Sequence, residues 1–253
     1  MTLDQWRQIA FNVLDVESTG IDVHEDRIVQ AAFVQFRPGQ RPSVRTWLVD
    51  PGIEIPSGAA EVHGITTERA RAEGGDPGQM CFELTGLIAL GLGHQVPLVA
   101  FNAAYDVTIL ESENTRHGVD RLAARLDRGS IGPVLDPFVI DKHISRRRGK
   151  RTLTHQCAHY TVPHNGAHDA AGDALATGRL LYKVLAAAAV SKQHAQIVEW
   201  TPRMLHQAQI GWRREQCDSL RAYFDQQGIE HDGVPGDWPV IPAPVAAAVE
   251  VAS

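Results

Sequence analysis

Asp15 and Glu17 stand two residues apart at the end of a short apolar run, residues 11–16, and Ser18-Thr19-Gly20 follows them. If that run is a strand, residues two apart share a face, so the two carboxylates converge. Like charges at a buried strand end repel, and the arrangement is costly unless a cation lies between them. A hard divalent ion such as Mg²⁺ or Mn²⁺ takes oxygen ligands of this kind. A solvated strand end with a capping aspartate is the plainer alternative, and Asp-x-Glu alone carries little weight.

Two further elements carry acids. Asn102-Ala-Ala-Tyr-Asp106 directly follows an apolar strand candidate at 97–100 and puts Asp106 in the first turn of a helix. Standing alone, an acid there would simply complement the helix dipole. His168-Asp-Ala-Ala-Gly-Asp173 opens an alanine-rich helix, with Asp173 about a turn and a half beyond His168. Asp169 is the natural N-cap of that helix. A histidine titrating near pH 7 can take a proton from water, although a single histidine is more often a surface residue.

The elements that must position these residues follow from periodicity and breakers. Strands are expected at 11–16, 27–36 and 43–49, the last two joined through Arg-Pro-Gly-Gln at 37–40. Helices at about 79–92 and 104–116 flank the strand at 97–100, and another short strand lies at 134–136. Helices follow at 137–145, 153–160 and 169–188. Three strands, then strand and helix in alternation, predict an α/β protein: a mixed five-stranded sheet with helices on its faces.

The 253 residues are 43% hydrophobic and 21% charged, enough to bury a core. No apolar run approaches membrane-spanning length, and the start MTLDQWRQIA lacks a basic-then-apolar signal. Cys81, Cys157 and Cys217 are odd in number and widely spaced, which fits a reducing cytoplasm and neither a disulfide framework nor a zinc cluster. The net charge of −6 disfavours broad duplex binding but leaves open an enzyme that grips a few terminal nucleotides through cations.

In order, spacing and context, Asp15, Glu17, Asp106, His168 and Asp173 resemble the three motifs of the DnaQ-like (DEDDh) 3′→5′ exonuclease family, in the branch of the DNA polymerase III epsilon subunit. The resemblance runs from about residue 11 to 185. Val62-His63-Gly64-Ile65-Thr66 is similar to a segment that lines the substrate pocket in that branch. The resemblance implies an RNase H-like fold in which Asp15, Glu17, Asp106 and Asp173 bind two divalent ions, Mg²⁺ or Mn²⁺, with His168 as general base. It further implies that His63, Asn102 and the backbone around Val16, Ser18 and Thr19 hold the terminal nucleotide of a single-stranded or frayed 3′ end of DNA, or of RNA. Two positions depart from the family pattern: Phe101 stands where a histidine is frequent, and Ser18 where a threonine is. Neither is an expected metal ligand.

Other signals remain outside those motifs. The basic run at 146–151 can line the cleft and contact phosphates, or it can be a solvated loop. His155 and His159 have the spacing of a helical zinc site, but Gln156 stands where a metalloprotease needs its glutamate. Met204, Ala208, Trp212, Leu220 and Phe224 recur at helical spacing, predicting an amphipathic helix that covers the domain's flank or docks a partner. The expected division is a nuclease domain at 1–189, a helical extension at 190–233 and a tail with little fixed structure at 234–253. Beside a self-standing nuclease stand two alternatives, an interaction subunit of a polymerase or repair complex and a catalytically inactive nucleic-acid-binding relative. No membrane partner is expected.

Overall fold

The computed structural model describes residues 1–127, 129–164, 169–231 and 233–244. Strands β1 (Phe11–Ser18), β2 (Ile28–Phe36) and β3 (Ser43–Leu48) form an antiparallel meander. β4 (Leu98–Val99) pairs parallel to β1, and β5 (Val134–Leu135) parallel to β4, giving the order β3-β2-β1-β4-β5. Parallel neighbours need crossovers, and helices supply them. α1 (Leu3–Arg7) precedes the sheet, and α2 (Ser57–His63), α3 (Thr67–Glu73) and α4 (Pro77–Gly93) lead from β3 to β4. α5 (Ala103–Arg116) joins β4 to β5, and α6 (Pro137–Ile144), α7 (Leu153–Tyr160), α8 (Ala170–Ala189) and α9 (Pro202–Gln227) follow. The mixed five-stranded sheet flanked by helices is thus the architecture, and every strand expected from periodicity is present. No helix is long and apolar enough to cross a membrane among the described residues.

The two-residue period of β1 divides the core. Leu14 and Val16 pack with α4 and α5 side chains such as Leu84 and Val107. Phe11 and Val13 point the other way, into a cluster with Ala174, Leu180, Leu181, Val184 and Leu185 of α8. Burying each large aliphatic side chain contributes about 1.5–3 kcal/mol, so α8 is fixed by the core rather than by the site at its start. Its approach is unusually close: a Cβ at Gly178 would lie 2.3 Å from the Phe36 ring. Any larger residue there would force the Phe36 ring or α8 to move.

The C-terminal helix departs from the expected stripe. Its buried residues are Leu205, His206, Gln209 and Cys217, whereas Met204 and Leu220 are exposed. The reason is the neighbour. β5 is an edge strand with unpaired backbone groups, which must be satisfied when covered. His206 Nδ1 accepts from Val134 N at 3.1 Å, Gln209 Nε2 donates to Val134 O at 3.1 Å, and Gln209 Oε1 accepts from Asp136 N at 2.7 Å. Side chains of α9 therefore take the place of a sixth strand, and hydrophobic periodicity does not register them.

Residues 233–244 reach into the stretch expected as a tail with little fixed structure, and they pack against the domain. Trp238 is only 6% exposed and joins the core cluster of α4 and α5, Ile241 N donates to Thr108 Oγ1 at 2.9 Å, and Cys217 Sγ donates to Pro235 O. One buried indole and a few backbone bonds anchor a segment that has no period to read. Residues 245–253 lie outside the described residues.

Candidate active site

Asp15 and Glu17 continue the face of β1 that carries Phe11 and Val13, the face covered by α8. Asp173 lies in the first turn of α8, whose N-cap is Asp169, with its side chain accepting from Gly172 N at 3.2 Å. The strand end and the helix start therefore meet. Asp15, Glu17 and Asp173 each offer an oxygen, and these atoms lie within 4.8 Å of one another. Among the described residues this is the one grouping of carboxylates, histidines or cysteines close enough to share an ion.

Asp106 lies beside this trio rather than in it. It is buried in the first turn of α5, and its Oδ1 accepts a 3.1 Å bond from Val16 N, which ties α5 to the strand between the two β1 acids. The turn before α5 is also fixed. Asn102 adopts a left-handed conformation (φ 60°, ψ 48°) that asparagine tolerates better than most residues. The backbone N–H groups of Asn102 and Ala103 donate to the Asp136 carboxylate at 3.0 and 2.9 Å. Asp136 also caps α6 by accepting from Phe138 N at 2.9 Å. Its role has no motif in the sequence, because its partners are backbone groups brought together by the β4–β5 pairing.

The charges of the site oppose one another. Burial pushes the Asp15 carboxyl well above its ordinary pKa, and Asp106, Asp173, Glu17 and Asp169 add to the effect. Glu17 is raised to about 7, first by burial and then by Asp173 and Asp169. Asp106 is raised by burial, against the bond from Val16 N that favours its charged form. Asp173 bonds His164, whose Nε2 is 2.5 Å from Asp173 Oδ1. His164 belongs to no motif in the sequence; it stands nine positions before Asp173, in the loop between α7 and α8. No lysine or arginine pairs with Asp15, Glu17 or Asp106 among the described residues. Converging acids that lack such a counter-charge fit a hard divalent cation, whose charge would offset theirs.

The expected nucleotide-holding residues lie on β1 and the turn after it, at the end of α2 and at the start of α5. Val16 faces the core, so its backbone is the part next to the acids. Ser18 Oγ donates to Gly20 O at 2.8 Å and bonds the Tyr105 hydroxyl, which also donates to Gly20 O. Thr19 is 2% exposed, and its side chain is turned into the loop, donating to Asp26 Oδ1 at 2.7 Å and accepting from Arg27 N. It shapes the turn and does not present a hydroxyl outward. Gly20 is required here, since a Cβ would stand 2.5 Å from the Asp26 carboxylate. His63 ends α2, with its Nδ1 accepting from Ile65 N at 3.2 Å. His168 falls outside the described residues.

The remaining motifs resolve as scaffold in part. Within the basic run, Arg147 and Arg151 turn inward onto buried Asp141, which also accepts from the Tyr160 hydroxyl at 2.7 Å. Arg146, Arg148 and Lys150 stay exposed. His155 and His159 are both on the surface, His155 bonded to Thr152 and His159 packed edge-on against Tyr160.

Comparison with known proteins bears on the same span. The family model described as Exonuclease (RNase_T) matches residues 13–181, which include all five motif residues. The DNA polymerase III subunit epsilon-like protein of Rhodobacter capsulatus is 30% identical over 191 residues, covering 71% of this chain and 24% of that protein. The PolC-type DNA polymerase III of Lacticaseibacillus paracasei is 26% identical over 182 residues, covering 71% of this chain and 12% of that protein. The matched region thus spans a quarter or less of these relatives. E. coli exonuclease I, solved in complex with a dT13 oligonucleotide, has a TM-score of 0.58 at 20% identity, covering 75% of this chain and 43% of that one, a likeness of fold. The chain belongs to the DnaQ-like 3′→5′ exonuclease family.

Proposed function

We propose that this chain hydrolyses the terminal phosphodiester at the 3′ end of a DNA strand, releasing nucleoside 5′-monophosphates. The observation that carries this reading is the convergence of Asp15, Glu17 and Asp173, backed by Asp106, with no lysine or arginine paired with Asp15, Glu17 or Asp106 among the described residues. Those four acids would hold two divalent ions, Mg²⁺ or Mn²⁺. When bound, such ions supply Lewis-acid stabilisation of the charge developing on the phosphoryl and departing 3′ oxygens.

The rest of the chemistry falls to the chain. A ring nitrogen of His168 accepts a proton from water as the water oxygen attacks phosphorus. The bond from phosphorus to the 3′ oxygen breaks, and that oxygen is protonated from solvent. Asp106 holds the strand end through Val16 N, and Asp136 holds the Asn102 turn, so the acids are positioned before substrate arrives. His63, Asn102, Ser18 and the backbone of Val16 and Thr19 grip the terminal nucleotide, with the Thr19 side chain serving the turn. A DNA substrate is favoured by the oligonucleotide bound in the exonuclease I structure and by the polymerase names of the relatives. Those names also favour a second reading, in which the same nuclease works beside a polymerase in the cytoplasm.

The test is degradation of 5′-labelled single-stranded DNA and RNA with Mg²⁺, with Mn²⁺ and with EDTA. A metal-dependent ladder shortening from the 3′ end is expected. His168→Ala should slow it by about 10²–10⁴-fold. No cleavage of either strand by folded, metal-supplied protein would overturn the reading; near-normal turnover of the variant would overturn the role of His168.

A further inference from the structure

Beyond the residues matched by the family model, α9 brings two arginines to a cavity of about 750 Å³ whose walls also include Asn102 and Tyr105. Arg221 is already engaged, with Nη1 donating to Val234 O and Nη2 paired with Asp218. Arg213 is not. Among the described residues it makes no ion pair, and its Nε is buried without a hydrogen-bond partner. A buried N–H left unpaired costs about 1–3 kcal/mol, more for a charged group, so a guanidinium in this state is poised for an acceptor. Burial raises the Asp136 carboxyl above its ordinary value and Arg213 offsets part of that, while Asp136 holds the turn carrying Asn102, which shares the cavity wall with Arg213.

The cavity is joined to the acid cluster by short links. The Tyr105 hydroxyl bonds Ser18, the residue after Glu17, and Asp106 follows Tyr105 in the chain. Tyr105 thus both lines the cavity and bonds the turn that follows Glu17. Phosphate is the ligand that suits the group: a planar fork of donors matches its oxygens, and a cation on a chain of net charge −6 is where an anionic backbone gains most.

We propose that Arg213 binds a backbone phosphate of the substrate strand, upstream of the terminal nucleotide. The proposal rests on the exonuclease reading above. Arg213→Ala and Arg213→Lys would be compared with the unaltered chain on two substrates, a labelled oligothymidylate and the p-nitrophenyl ester of thymidine 5′-monophosphate, which has no upstream phosphate. Oligonucleotide affinity would be read separately by fluorescence anisotropy in Ca²⁺ at several salt concentrations.

Arg213→Ala should weaken oligonucleotide binding about tenfold. It should lower the salt slope by about 0.7, the contribution of one phosphate on a single strand. It should raise KM with kcat held, leave hydrolysis of the small ester and the melting temperature unchanged, and be partly rescued by lysine. Unchanged affinity and slope overturn the proposal, as does equal loss on both substrates or no binding by the unaltered chain. Failure of the unaltered chain to cleave either substrate instead counts against the exonuclease reading, and the anisotropy comparison still decides the role of Arg213.

Discussion

Asp141 and Asp15 are both acids taken from water, and they differ in what surrounds them. Asp141, wholly buried on α6, is met by Arg147, Arg151 and the Tyr160 hydroxyl. Glu111 and Glu113 on α5 follow the same rule, paired with Arg121 and Arg116. Asp15, at the end of β1, is met by Asp106, Asp173, Glu17 and Asp169. Where the chain is building structure, it supplies its buried acids with cations, or, at Asp136, with backbone N–H donors. At the meeting of β1 and α8 it supplies more acids, with His164 on Asp173 and no lysine or arginine paired with Asp15 or Glu17 among the described residues. A perturbed carboxyl is informative because of who its neighbours are, and burial alone would not separate these two regions.

Neutralising each acid in turn should break this comparison if it is wrong. Asp15→Asn is expected to reduce nuclease turnover by about a thousandfold. It should leave the melting temperature of the metal-free protein equal or higher, because it removes a repelled charge. A fall in stability comparable to the fall in activity would make Asp15 another structural acid. Asp141→Asn should do the reverse, costing about 3 kcal/mol, or ~6–12 °C in melting temperature, by leaving two arginines facing an uncharged amide, with the turnover of the protein that remains folded little changed. Thermal denaturation and initial rates on the same preparations read both effects.

A smaller effect sharpens the same contrast. Glu17 titrates near 7 rather than at its ordinary 4.5, so between those values the folded metal-free protein binds a proton that the unfolded chain releases. The contribution of Glu17 to stability should therefore fall as pH rises from about 4.5 to 7, against the opposite slope from His143 and His206, which burial holds down to about 4. Glu17→Gln should remove that fall from the pH dependence of the melting temperature, and a divalent ion should stabilise more above pH 7 than below 5, since it replaces the proton. The same slope in Glu17→Gln and in the unaltered chain would mean that Glu17 takes up no proton on folding.

Much of this site is legible in the amino-acid sequence because it sits on regular elements. Strand period two puts Asp15 and Glu17 on one face, and the N-cap pattern places Asp169 and Asp173 at the start of α8. What is not legible is carried by residues whose partners are far away in sequence. Asp136 serves a turn more than thirty residues earlier through backbone groups, and His164 reaches Asp173 through a loop with no period. On α9 the helix can be read, but its buried face cannot: His206 and Gln209 are inside because β5 needs hydrogen bonds there. Trp238 anchors a proline-rich segment by a single side chain, which composition alone reads as loose.

The most direct test of the central claim, that these acids are assembled for a cation, is titration calorimetry of Mn²⁺ into the unaltered chain, Asp173→Asn and Asp141→Asn. Saturable binding by the unaltered chain and Asp141→Asn, lost or weakened at least about tenfold in Asp173→Asn, is the expected result. Equal Mn²⁺ affinity in all three, or none in the unaltered protein, would contradict it.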